Sequence, residues 1–196
     1  MTGGRRIADS LPALVLAIAV LDYLSARSAN ALGIPFSLDT WATSVGVLAA
    51  GAAAGIVGGA LYCSAMAATV WGPAGLVWTM SSANVALITR AFARRGWVDI
   101  ERPLGLLSAG ILTGALNTLL ATLLEPLVYG TRNPFDKSVL FRELFRRTLG
   151  GWGAVLHLDD LLVEITDKTV CIIVAAATAA LLAEPLRGAT SAKTPS

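Results

Sequence analysis

Long apolar runs alternate with short polar connections along the chain, and polar residues inside the runs are few enough to name. A run of about 20 predominantly apolar residues is the length of helix that crosses a bilayer. The first run covers Ile7–Ala26, with Asp9 near one end and Asp22 near the other. A polar loop with the turn signal Gly33-Ile34-Pro35 follows. A second span starts near Trp41 and a third ends near Trp71. The text between them is too long for one helix, and the glycines of Gly55–Gly59 predict the break there. Trp71-Gly72-Pro73 is a tight turn into a fourth span, Ala74–Ala93, which stops at Arg94-Arg95-Gly96. A fifth span covers Pro103–Tyr129. The polar connection after it holds Phe135–Leu149, which reads as a basic amphipathic surface helix. The sixth span starts at or before Asp167 and ends near Leu186. The pattern predicts an all-α, polytopic integral membrane protein: one six-helix bundle over residues 1–186, with a disordered tail over Arg187–Ser196.

Composition agrees. Charged residues make up 14% of the 196 residues, and the mean hydropathy is +0.68; soluble domains carry about 25% charged residues. The net charge of +2 is too small to argue for nucleic acid. Cys63 and Cys171 both lie in apolar runs at a spacing that matches no metal or haem motif, and they read as small packing residues. No metal ligand set and no cofactor motif stands out. With the N-terminus inside, the cytoplasmic side receives Arg5, Arg6, Arg90, Arg94, Arg95, Arg102, Arg187 and Lys193. The outside receives Arg27, Arg132, Lys137, Arg142, Arg146 and Arg147. The bias is towards positive inside, so both termini are expected in the cytoplasm of a bacterial or archaeal cell.

The polar groups within the runs point to one place. Asp167-Lys168 stands where a polar segment gives way to Thr169–Leu182, which has no charge. Ionisable groups at membrane depth usually face a bundle interior or a wet cavity. Under the N-in topology, Asn84 and Asn117 form the floor of an outward-facing pocket. Trp78, Glu125, Asp167 and Lys168 form its walls, and Asp39 stands at its mouth. Each also has a structural use. Asp39 can cap the second helix, the two asparagines can bond each other, Lys168 can snorkel, and tryptophans anchor membrane interfaces. His157 is the only histidine, no Gly-x-Ser-x-Gly or His-Glu-x-x-His occurs, and catalysis has little support.

Four stretches in order carry a family likeness: Phe36–Thr43, Leu76–Trp97, Ala121–Gly130 and Leu161–Val170. Together they resemble the substrate-binding S components of energy-coupling factor (ECF) transporters, and the related membrane input regions of some bacterial sensor kinases. The resemblance implies six helices around an outward-facing pocket for a vitamin or vitamin precursor. It implies a coupling T subunit docked on an Ala-x-x-x-Ala face of the first helix, which Ala13 and Ala17 match, and two cytoplasmic ATPases for energy. It makes Lys168 the ligand contact, with Asp167 holding the lysine charged and oriented. The expected function is therefore binding of a small polar heteroaromatic nutrient for import, without enzymatic activity. The alternative is a sensory module of the same fold acting through a partner protein.

Overall fold

The computed structural model describes residues 3–34, 36–129 and 158–191, with side chains described over 10–34, 36–124, 127–128 and 161–182. The described residues form helices and their connections: α1 (Gly3–Ala31), α2 (Trp41–Ala50), α3 (Ala52–Met66), α4 (Thr79–Arg94), α5 (Pro103–Tyr129) and α6 (Leu158–Ser191). A π-helical turn, Ala67–Trp71, prolongs α3, and a 3-10 turn, Pro73–Trp78, leads into α4. Four helical segments are long and apolar enough to cross a bilayer: Ser10–Ala31, Ala52–Trp71, Pro103–Leu124 and Leu161–Leu182. The predicted surface helix Phe135–Leu149 lies outside the described residues.

The expected second span is corrected. The chain breaks at Gly51, whose φ of +94° is one that glycine adopts readily, and not at Gly55–Gly59. α2 is therefore a helix of 10 residues, about 15 Å long, which is half the hydrocarbon thickness. The glycines between 55 and 59 lie within α3 and serve close packing. A Cβ at Gly55 would meet Val47 and the Thr43 carbonyl oxygen, and one at Gly59 would meet Ser82, all closer than 3.0 Å. The sixth helix begins at Leu158, nine residues before Asp167, in agreement with a start at or before that residue, and continues past the expected end near Leu186.

Side-chain periodicity explains how the long helices orient. On α1 the buried positions Ile18, Asp22, Ala26 and Ala29 fall on one face, while Leu16, Val20 and Leu24 are exposed on another. On α6 the buried residues Val163, Asp167, Lys168, Cys171, Ile172, Ala175 and Ala176 make one stripe, so the ionic pair lies within the packing face. α5 and α6 share the largest helix–helix interface. It is antiparallel and built on Gly110-Ile111-Leu112-Thr113-Gly114, a Gly-x-x-x-Gly pattern. A Cβ at Gly110 would meet the Thr169 backbone, and one at Gly114 the Ile165 backbone, each closer than 3.0 Å. In a bilayer, lipid is as apolar as the side chains, so such backbone approach provides much of the association.

The start of α2 is set by α1. Thr40 makes no side-chain cap, and the first N–H groups of a helix have no partner within it. Asp22, fully buried on α1, supplies them. Its carboxylate accepts the N–H groups of Ala42 and Thr43, both at 3.0 Å, and the Thr43 hydroxyl at 2.7 Å. These two N–H groups are thus met from a different helix, while Asp39 accepts from Tyr62 and Lys168. Trp41 donates its indole N–H to Ser25 Oγ at 2.8 Å, so α2 begins beside Ser25 and not beside Ala31. That is about 9 Å short of the end of α1. The connection Leu32–Thr40 must therefore turn back along the last turns of α1 before α2 starts.

Two apolar clusters flank these elements. Tyr62, Cys63 and Met66 of α3 pack with Ala19 and Ala26 of α1, with Tyr23, Val70, Trp71 and Trp78 against them. Phe92, Leu106, Ala109, Ile172 and Ala176 form the second, closed by Trp97 stacked on Phe92 at 5.2 Å.

Two outcomes test this architecture. Gly114→Val is expected to force α5 from α6 and to cost about 2 kcal/mol or more, since the obstruction is backbone and cannot move aside; unfolding in mixed micelles with a graded denaturing detergent measures it. Asp22→Ala is expected to destabilise by about 3 kcal/mol by stranding two buried N–H groups and a hydroxyl, with Asp22→Asn recovering part of that loss in the same assay.

Candidate functional site

A backbone that leaves its helix within the membrane needs partners that lipid and water cannot supply there. The α1–α2 connection finds them on α6. Asp167 Oδ1 accepts the Leu38 N–H at 2.7 Å, and Lys168 Nζ donates to Asp39 Oδ1 at 3.1 Å. Consecutive residues of α6 thus hold consecutive residues of the connection. Leu38 has φ +48°, the one positive value for a non-glycine residue among those described. Such a conformation is uncommon outside glycine and asparagine, and persists where surrounding contacts enforce it.

The network extends from this grip. Lys168 Nζ lies 2.6 Å from Asp167 Oδ2 and 3.8 Å from Glu164 Oε2. Adjacent residues on a helix do not face each other, but the long lysine side chain reaches back to its neighbour. Asp39 Oδ2 accepts the Tyr62 hydroxyl at 3.0 Å, which brings in α3. Glu164 Oε2 accepts the Asn117 amide N–H at 2.8 Å, and Asn117 Oδ1 accepts the Ser81 hydroxyl at 2.8 Å, which brings in α5 and α4. One connected set of polar groups therefore joins α3, α4, α5, α6 and the α1–α2 connection. Lys168 lies about 10 Å along α6 from Leu161, the first residue of its apolar span. Asn117 lies at a matching distance from Leu124 on α5.

Asp39, Glu164 and Asp167 converge on one ammonium group. Lys168 and Asp167 are sealed, with side chains 3% and 1% exposed. Asp39 and Glu164 are the open members, at 15% and 26%.

The sequence-predicted residues divide on this geometry. Asp39, Asn117, Asp167 and Lys168 come together in the network. Trp78 packs at the edge of the Tyr62–Met66 cluster, whose other aromatic wall is Trp71, edge-on to Tyr62 at 5.9 Å and 81°. Asn84 is partly buried on α4, and its Nδ2 has no hydrogen-bond partner among the described residues. The pairing of Asn84 with Asn117 is not what forms: Asn117 bonds Glu164 and Ser81. The side chain of Glu125 lies outside the described residues. Ala13 and Ala17 are exposed on α1, on the side where Leu16 and Val20 are exposed too.

Glu164, Tyr62 and Ser81 are the members that sequence reasoning missed. Glu164 had a usable signal, since it precedes Lys168 by four residues, the spacing at which helical side chains meet. Tyr62 and Ser81 carry no signal, as a single hydroxyl in apolar text has no readable direction. Comparison of the chain with protein-family models, with curated proteins and with solved structures finds no match.

Proposed function

We propose that this chain is the substrate-binding membrane component of an ECF-type importer, taking up a small polar heteroaromatic nutrient from outside the cell. A T subunit and two cytoplasmic ATPases would supply the energy. The observation that carries the reading is the polar network itself. Four helices and one connection converge on a charged cluster about 10 Å into the apolar spans, and ionisable groups at that depth mark substrate paths more often than they serve stability. Aromatic side chains cluster around buried Tyr62, which bonds Asp39; the partly exposed Trp71 and Trp78 are where a flat ring could stack. The exposed Ala13 and Ala17 give α1 a low-relief strip suited to close approach by another membrane helix.

In this reading the cluster has two tasks. Asp167 and Lys168 hold the Leu38–Asp39 backbone and side chain in register with α6. The same contacts fix the Asp39 carboxylate, so that ligand meets a preorganised group and binding spends little on ordering it.

Two measurements test the proposal. Affinity purification of the chain from its native membrane, followed by mass spectrometry of proteins and of extracted small molecules, is expected to recover a T subunit, ATPases and a heteroaromatic compound. Recovery of a sensor kinase in their place would assign the chain to signalling. Replacing Ala13 and Ala17 together by tryptophan is expected to lower recovery of the T subunit at least about ten-fold, equivalent to 1.4 kcal/mol. Ligand retention is expected to be unchanged, because the strip and the cluster lie on different parts of α1 and α6.

A further inference from the structure

At the end of the bundle away from the Lys168 network, α4 stops and the chain turns into α5. Arg90, Arg94, Arg95 and Arg102 gather there. We propose that they form a site for the phosphate headgroup of an anionic phospholipid, whose acyl chain lies along the exposed face of α4. The site is independent of the import reading and uses none of its residues.

One face of α4 has the profile of a phospholipid. Leu87, Arg90, Ala91 and Arg94 recur at i, i+3, i+4 and i+7, the spacing of a single helix face. Leu87, Ala91 and Arg94 are exposed and Arg90 is half-buried. The face is thus apolar towards the middle of α4 and basic at its end. The turn adds charge. Gly96, at φ +69°, ends the helix, and the N–H groups of Gly96 and Trp97 close on the Ala93 and Phe92 carbonyls at 3.0 Å. Arg95 is exposed beside that glycine, and Arg102 folds back over it: a Cβ at Gly96 would meet Arg102 Nη1 at 3.1 Å. The acidic residues of the turn leave the arginines unneutralised. Asp99 Oδ1 accepts the Glu101 N–H at 3.0 Å, and among the described residues neither Asp99 nor Glu101 forms an ion pair with an arginine.

The depth of Arg90 points to what completes the group. α4 and α5 run antiparallel, with Ser81 bonded to Asn117 and Phe92 packed with Leu106 and Ala109. Arg90 therefore lies at about the level of Ser108, roughly 8 Å inside the apolar span Pro103–Leu124. Its guanidinium makes no hydrogen bond or ion pair among the described residues. Cations at a helix C-terminus complement the helix dipole, which gives Arg94 and Arg95 a structural use. Arg90 is one turn further in and has no such use. An unpaired charge within a span is costly unless it reaches the interface or an anion reaches it. Lipid phosphate is the anion at that boundary, and the planar guanidinium matches it with paired donors. Basic groups between membrane helices receive headgroups in this way.

The test uses the full chain in mild detergent, incubated with equal amounts of phosphatidylglycerol and phosphatidylcholine of the same acyl chains. Native mass spectrometry reads the lipid retained. Phosphatidylglycerol is expected to be retained at least about ten-fold over phosphatidylcholine, equivalent to 1.4 kcal/mol. Arg90→Gln is expected to lower that retention at least about ten-fold, and Arg94→Gln combined with Arg95→Gln by a similar factor. Arg27→Gln removes the same charge from an exposed position on α1 and is expected to keep it. Millimolar inorganic phosphate is expected to leave the lipid in place, since the acyl chain holds it along Leu87 and Ala91. If Arg90→Gln does not fold, the exposed Arg94 and Arg95 pair decides alone. Equal retention of the two lipids overturns the proposal. So does a loss in Arg27→Gln as large as that in the α4 variants, which would mean diffuse attraction by net charge. Displacement by inorganic phosphate assigns a free-anion site and overturns the lipid.

Discussion

The α1–α2 connection carries backbone N–H and C=O groups to a depth where lipid offers them nothing, and α6 answers with Asp167 and Lys168. One carboxylate oxygen takes the Leu38 amide and the neighbouring ammonium takes the Asp39 side chain. Without such partners, irregular backbone at this depth would cost several kcal/mol per unsatisfied group. Because the contacts are consecutive on both segments, they also fix register: a slip by one residue would separate both. The positive φ at Leu38 is held by this pair of contacts and by the start of α2 immediately after it.

The position of α2 follows from the same constraint seen from the other side. Its free N–H groups are met by Asp22 of α1, so the short helix is fixed at its N-terminus by a buried carboxylate. Gly51 closes its other end, and the glycines of α3 and Gly46 let it sit against α3 and Ile18 with no room for a Cβ. The two carboxylates on either side of the break in helix, Asp22 and Asp39, therefore have different work. The first is spent on backbone. The second accepts from the Tyr62 hydroxyl and the Lys168 ammonium.

Dynamics enters through the contrast between the two halves of the bundle. The α5–α6 pair is locked by backbone-to-backbone approach at Gly110 and Gly114, which leaves no side chain to repack. The Leu32–Thr40 connection is held by hydrogen bonds and ion pairs to a few atoms. Contacts of that kind open locally at lower cost than packed helix interfaces. The rigid pair carries Lys168, Glu164 and Asn117, so their mutual placement is set by α5 and α6, while Asp39 comes with the connection.

Length and hydropathy of the apolar runs determined, from sequence alone, that the chain is helical and suited to a bilayer, because burial in lipid demands continuous hydrogen-bonded apolar segments. The importance of Asp167 and Lys168 was legible for the same reason: charge inside such a segment needs an explanation. Asp39 and Asn117 were legible as members of a shared site by depth. Tertiary structure alone decided the rest. The break at Gly51 could not be told from Gly55 or Gly59, since all are glycines in alanine-rich text and only packing shows which one turns the chain. Glu164 joins the polar network because the helix that starts at Leu158 places it one turn from Lys168 and within reach of Asn117. The burial of the pair was also decided there: sequence gives the charges, but that both are sealed while Asp39 and Glu164 are partly exposed depends on how helices from distant parts of the chain close around them.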